Sequence, residues 1–131
     1  LVLLPTRELA GQVLKALQQF IGRSNIPAVL LIGGEDMGKQ IRKLKSRPRL
    51  IVGTPGRIND HLIRGTLKLS DTSFLVLDEV DRMLDMGFIR DIRKILALLP
   101  KRRQNLLFSA TYSNDIRQRC RRAFRKFRPN I

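Results

Sequence analysis

Five short apolar runs alternate with amphipathic stretches along this chain, and the connections between them are too short for anything but crossovers. That pattern predicts a parallel α/β sheet with helices on both faces. Leu1 to Leu4 reads as the end of a strand, followed by Ala28 to Ile32, Leu50 to Val52, Phe74 to Leu77 and Asn105 to Phe108. Thr6 is placed to cap a helix running to about Ile21, with Leu9, Val13, Leu17, Phe20 and Ile21 on one face. Further helices are expected from Met37 to Lys45, around Ile58, Leu62 and Ile63 up to Gly65, over Arg82 to Leu84, from Ile89 to Leu99, and from a Ser113 cap onward. Leu67 to Leu69 reads as a minor extended piece. At 131 residues, 43% of them apolar, the chain is sized for one domain with a core of its own.

One strand carries unusual cargo. Phe74-Leu75-Val76-Leu77 runs straight into Asp78-Glu79-Val80-Asp81, which places three carboxylates within four positions at a strand's carboxyl end. In open α/β sheets ligands sit along that edge. Carboxylates there can hold Mg²⁺ through its waters, because that ion takes only one or two protein carboxylates, and a neighbouring acid can orient an attacking water. The plainer reading is that Asp78 and Asp81 cap the following helix.

Charge sets the chain apart, with a net of +15. Such a surplus points to a polyanionic partner, nucleic acid ahead of a membrane surface. Residues 101 to 131 hold ten Lys or Arg against the single Asp115, a net of +9. No run approaches the roughly 18 apolar residues of a membrane span, and no charged-then-apolar leader opens the chain, so a cytoplasmic or similarly reducing compartment is expected. The lone Cys120 and the lone His61 are too few for an internal disulfide, a structural zinc site or a histidine-based triad. Cys120 reads as a small core residue and His61 as a solvated side chain on a helix.

The turns that follow the strands would share one sheet edge: Pro5-Thr6-Arg7-Glu8, Gly33-Gly34, Thr54-Pro55-Gly56-Arg57, the acidic stretch, and Ser109-Ala110-Thr111. Hydroxyls, arginines and backbone N–H groups at glycine turns or helix starts are what holds a phosphodiester backbone, although each turn alone is also an ordinary cap.

In this order the five turns resemble the motifs of the DEAD-box RNA helicases. Pro5-Thr6-Arg7-Glu8-Leu9-Ala10 is similar to motif Ia, Gly33-Gly34 to the glycine doublet, Thr54-Pro55-Gly56-Arg57 to motif Ib, Asp78-Glu79-Val80-Asp81 to motif II and Ser109-Ala110-Thr111 to motif III. The linking text Asp81-Arg82-Met83-Leu84-Asp85-Met86-Gly87-Phe88 and Gln104-Asn105-Leu106-Leu107-Phe108 resembles the family equally. The resemblance implies that residues 1–131 are a partial first RecA-like domain, the helicase ATP-binding domain, without a second domain. ATP and Mg²⁺ would be the cofactors and RNA the partner. Asp78 would hold Mg²⁺ through water, and Glu79 would polarise the water that attacks the γ-phosphate. Asp81 would bond to Ser109 and Thr111, coupling the nucleotide site to the RNA surface. Thr6, Arg7, Gly34, Thr54, Gly56 and Arg57 would grip one RNA strand by phosphate and sugar.

Some features depart from the family pattern. Val80 stands where the family has Ala, at a position whose side chain does no chemistry. The adenine-reading Q motif and the P-loop would lie upstream of Leu1 and the second RecA-like domain beyond Ile131, so the chain reads as a fragment lacking the P-loop strand. If that strand belongs inside the sheet, its neighbour becomes an exposed edge, which invites association. Gly33 to Lys39 has P-loop spacing, but Gln40 stands where Ser or Thr should ligate Mg²⁺, and Glu35 and Asp36 would repel phosphates. The last helix places Ile116, Cys120, Ala123, Phe124 and Phe127 on one stripe and Arg117, Arg119, Arg121, Arg122, Arg125, Lys126 and Arg128 elsewhere. That basic surface reads as a solvated outer face or as an additional RNA-binding face, with a membrane-surface helix as a weaker third reading. The expected activity is ATP hydrolysis coupled to RNA strand binding and local duplex unwinding, with weak RNA binding and no meaningful ATPase from this chain alone. The alternative is a non-catalytic basic RNA-binding module, to which the intact Asp78, Glu79, Asp81, Ser109 and Thr111 would be of no evident use.

Overall fold

The structure, a computed structural model, describes residues 1–22 and 24–124. Five strands, β1 (Val2–Leu3), β2 (Ala28–Leu31), β3 (Leu50–Gly53), β4 (Phe74–Leu77) and β5 (Gln104–Leu107), form one sheet in the order β2-β3-β1-β4-β5. Every pairing is parallel; Val2, for example, lies between Val52 and Val76. The helices are α1 (Arg7–Ile21), α2 (Met37–Leu44), α3 (Pro55–Arg64), α4 (Val80–Asp85), α5 (Ile89–Leu98) and α6 (Asn114–Ala123).

The direction of travel along the sheet decides which face each helix covers. A parallel crossover is right-handed almost without exception, so a step in one direction puts its helix on one face and a step back puts it on the other. From β1 to β2 the chain moves outward; from β2 to β3, β3 to β4 and β4 to β5 it moves the other way. Accordingly α1 is the one helix on its face among the described residues, packing Leu9, Val13, Leu14 and Leu17 over Val2, Leu4, Val52 and Val76. The opposite face carries the main core, where Leu3, Leu31, Leu75 and Leu77 meet Leu44, Ile58, Met83, Ile92 and Ile95. Alternate residues of each strand serve the two faces, as the period of two demands.

Side-chain caps set several helix starts. Thr6 accepts the Leu9 N–H at 3.3 Å, Asp36 the Lys39 N–H at 2.9 Å, and Ser113 the Ile116 N–H at 3.3 Å. Gly65, at φ 73°, closes α3 in the left-handed conformation. Gly53 is required for a different reason. A Cβ there would collide with the Leu31 carbonyl and sit 3.0 Å from the Ile58 side chain, so only glycine lets α3 start this close to the sheet.

Two expectations change, for Phe20 and for Leu67 to Leu69. Phe20 is 90% exposed rather than part of the packed face of α1. Fifteen helical residues span about 22 Å, whereas four strand residues span about 13 Å, so the last turn of α1 overruns the sheet it covers. Ile63 is likewise 80% exposed on α3. Leu67 and Leu69 form no strand, yet both are buried in the main core. At the chain's end Ile116, Ala123 and Phe124 are buried and Cys120 half-buried, and desolvation raises the pKa of its thiol. Arg119 pairs with Asp85 at 2.7 Å, and Arg93 donates to the Ala123 and Arg122 carbonyls at the end of α6. Arg125, Lys126, Phe127 and Arg128 lie outside the described residues.

Candidate functional site

Ligands in open α/β sheets settle at the carboxyl edge where neighbouring strands send their helices to opposite faces. Here β1 sends α1 one way while β3 and β4, on either side of it, send theirs the other. An open cleft lies at that junction, lined by Thr6, Arg7 and Glu8 after β1, Gly33 after β2, Thr54, Gly56, Arg57 and Asp60 after β3, and Phe88. Five of the six residues expected to grip a strand therefore line one cleft, and Gly34 stands at its rim against Arg7.

The cleft is internally braced. Arg7 donates from Nη1 to the Gly33 carbonyl at 3.3 Å, and Arg57 donates from Nη2 to the Glu35 carbonyl at 3.2 Å. Gly34 has φ 82°, and a Cβ on it would strike the Arg7 guanidinium. Glycine there is a condition of Arg7 lying where it does. Thr54 is the N-cap of α3 but makes no side-chain capping bond, and Pro55 supplies the helix's first turn.

His61 and Gln40 correct the sequence reading. His61 is fully buried, not solvated. Its Nε2 lies 2.7 Å from Gln40 Oε1 and its Nδ1 2.8 Å from Thr66 Oγ1. Burial lowers its pKa, Arg57 lowers it further, and Asp60 opposes the shift, so the ring is neutral at pH 7. Gln40, also buried, donates to the Ile32 carbonyl at 2.8 Å. This interior disposes of the P-loop spacing at Gly33 to Lys39. The Lys39 N–H that would meet a phosphate is taken by Asp36, and Gln40 points into the protein.

The acidic turn stands beside the cleft on the same edge. Asp78 donates its N–H to the Leu3 carbonyl at 3.0 Å, and its Oδ1 accepts the Glu79 N–H at 2.9 Å. Glu79 then adopts the left-handed conformation, at φ 52° and ψ 48°, to turn the chain into α4. It is the N-cap residue, yet its own side chain makes no capping bond, and the Glu79 N–H is taken by Asp78 instead. Glu79 Oε2 is buried without a hydrogen bond, and the Arg82 guanidinium is 3.7 Å away, an ion pair beyond hydrogen-bond range. Val80 is fully buried in the main core, and its N–H donates to the Phe108 carbonyl at 3.0 Å, tying β4 to β5.

Asp81 reaches the turn after β5. Its Oδ2 accepts the Thr111 hydroxyl at 3.0 Å, and the Ser109 hydroxyl lies between this carboxylate and the Thr111 carbonyl, 2.7 Å from the latter. Burial pushes the Asp81 pKa up, but the hydroxyls of Thr111 and Ser109 and the Arg82 N–H outweigh it, leaving the carboxyl below its ordinary value. Sequence reasoning passed over Gln40, His61 and the Glu35 carbonyl, because their partners are set by how α2 and α3 pack.

Known proteins share this arrangement. The family model described as DEAD/DEAH box helicase matches residues 1–119. The chain is 52% identical over 118 residues to the "DEAD-box ATP-dependent RNA helicase CshA" of Geobacillus kaustophilus, and 51% identical over 123 residues to the "ATP-dependent RNA helicase DeaD" of Klebsiella pneumoniae. These matches cover 90% and 93% of this chain but only 25% and 19% of the two relatives. Among solved structures, a DEAD box protein from the hyperthermophile Methanococcus jannaschii aligns with a TM-score of 0.85 at 43% identity, over 93% of this chain and 33% of that one. A hypothetical ATP-dependent RNA helicase from Sulfolobus tokodaii gives the same TM-score at 33% identity, over 98% of this chain and 38% of its own. With the five turns at one edge of a RecA-like sheet and a family match along most of its length, the chain belongs to the DEAD/DEAH box helicase family.

Proposed function

We propose that the chain works as part of an ATP-dependent RNA helicase, in a reducing intracellular compartment, coupling ATP hydrolysis to the binding of one RNA strand and local duplex unwinding. In this reading Thr6, Arg7, Gly34, Thr54, Gly56 and Arg57 hold the strand by phosphate and sugar along the cleft, without reading bases. Asp78 and Glu79 serve the nucleotide, and Asp81 with Ser109 and Thr111 links the two. The observation that carries the proposal is the juxtaposition, on one sheet edge, of a cleft bearing Arg7 and Arg57 and a turn bearing three carboxylates.

Glu79 is suited to orient a water and accept its proton. Its Oε2 is a buried acceptor without a hydrogen-bond donor, a rare condition that a bound water would relieve. Among the described residues no group of three or more His, Cys, Asp or Glu could cage a metal ion. Mg²⁺ needs no such cage, since one or two carboxylates suffice when waters and substrate phosphates fill its other positions, and Asp78 beside Glu79 meets that demand. Bound ATP with Mg²⁺ supplies the γ-phosphoryl group and the charge neutralisation for its transfer to water. The chain's one stretch with P-loop spacing is built otherwise, so residues 1–131 alone should show no RNA-stimulated ATP turnover.

A chimera tests the catalytic assignment. Residues 1–119, exchanged for the matching segment of the Geobacillus kaustophilus relative, should sustain RNA-stimulated ATP turnover, and Glu79→Gln should lower kcat by about a hundredfold or more. A Glu79→Gln chimera that turns over ATP at the parent rate contradicts the proposal.

A further inference from the structure

Beneath the cleft lies a polar relay that none of the five turns contains. His61, fully buried on α3, meets Gln40, 1% exposed on α2. The direction of each bond follows from the donors available. Gln40 Nε2 donates to the Ile32 carbonyl at 2.8 Å, so its Oε1 faces His61 and must accept from Nε2–H. Nδ1 is then the acceptor, and it takes the Thr66 hydroxyl at 2.8 Å. The Thr66 hydroxyl also lies 3.1 Å from the His61 carbonyl, so its one proton is shared between that oxygen and Nδ1, while Nε2–H serves Gln40 alone.

The Ile32 carbonyl opens the turn on which the cleft's cations are anchored. Arg7 holds the Gly33 carbonyl and Arg57 the Glu35 carbonyl, while Arg57 Nη1 also lies 3.8 Å from Met37 Sδ. One short segment, residues 32–37, is therefore held from inside by Gln40 and from the cleft side by both guanidiniums. We propose that His61 is a positioning residue for the cleft. By fixing Gln40 in one orientation it locks the Gly33-Gly34-Glu35 turn, and through that turn it sets where Arg7 and Arg57 present their remaining N–H donors. An apolar pair of similar volume would fill the same space, but it would impose no direction on the Ile32 carbonyl.

The role of the cleft as an RNA site rests on the function proposed above, so the test reads the turn and the RNA separately. His61→Gln keeps an N–H donor within reach of Gln40 Oε1, whereas His61→Asn places its amide where Nδ1 stands and stops short of Gln40. Both remove the ring, but Asn is also one methylene smaller, so the volume-conserving Gln40→Met variant is needed to separate lost packing from a lost hydrogen bond. Amide hydrogen exchange across residues 33–37 should quicken about tenfold in His61→Asn and stay within about twofold of wild type in His61→Gln. Affinity for single-stranded oligouridylate should fall between about two- and tenfold in His61→Asn only, the range that one lost hydrogen bond allows. Gln40→Met, which removes the amide at similar volume, should reproduce the His61→Asn exchange. Equal exchange in the two His61 variants, or an unchanged turn in Gln40→Met, overturns the inference. If the exchange contrast appears but the wild-type chain does not bind oligouridylate, the positioning of the turn stands and the RNA assignment of the cleft fails.

Discussion

The cleft after β1, β2 and β3 and the acidic turn after β4 share one sheet edge but are finished to different degrees. In the cleft Arg7, Arg57, Gln40 and His61 are each bound to a named partner in the protein, and the one left-handed residue there is Gly34. At the acidic turn the left-handed residue is Glu79, which pays a conformational cost that glycine would avoid, and its buried Oε2 has no hydrogen bond. On the function proposed above, the contrast teaches that a surface for a uniform backbone is served by being fixed in advance. A site for a reacting group retains strain and an open acceptor.

Gly34→Ala is the sharpest way to break the comparison from the cleft side. The new Cβ is strained at φ 82° and collides with the Arg7 guanidinium, the free end of a flexible side chain. The guanidinium therefore moves, and single-stranded RNA affinity should fall roughly tenfold while stability drops by about 1 kcal/mol. Unchanged affinity in a fluorescence anisotropy titration would show that Arg7 need not be held in place.

On the acidic side, Glu79→Gly should raise unfolding stability by about 1 kcal/mol in urea, because it releases the left-handed strain together with a buried carboxylate oxygen that has no hydrogen bond. Lower stability in that variant would mean that Glu79 is a structural residue after all.

The smallest effect expected concerns acid. Unfolded His61 takes up a proton near its ordinary value of 6.5, whereas the buried ring resists protonation to lower pH. Within that window the unfolded chain binds more protons, so stability is fully present above about pH 6.5 and declines as pH falls through the lowered folded value. His61→Gln should remove that part of the slope. A slope of the same size in His61→Gln would assign the acid sensitivity to another group.

Much of this was legible in the sequence because it is local. Phe74–Leu77 is a strand over the residues its apolar run predicted, Thr6 and Ser113 cap the helices that follow them, and Gly65 ends α3. The parallel sheet followed from the alternation of strands and helices. What was not legible depends on distance in sequence. The fate of His61 is decided by Gln40, 21 residues earlier, and a single basic residue among polar neighbours carries no sign of such a partner. Phe20 has the spacing of a core residue, but the helix outruns the short strands beneath it. The strand order, which singles out α1 and puts the cleft at the β1 junction, is a property of the assembled sheet. At the candidate site the order of the turns was readable. The resemblance also implied the bond between Asp81 and Thr111, whereas the reach of the Ser109 hydroxyl to the Thr111 carbonyl depended on geometry.

The central claim is that the cleft holds an RNA backbone through Arg7 and Arg57. It is tested most directly by titrating oligouridylate and oligoadenylate of equal length into wild type and into the Arg7→Gln, Arg57→Gln double variant across a range of salt. Wild type should bind the two strands with equal affinity to within about twofold, and the double variant should bind both more weakly, with the slope of log K against log salt shallower by about 1.4, the release expected for two phosphate contacts on a single strand. A double variant with the affinity and salt slope of wild type would contradict the account.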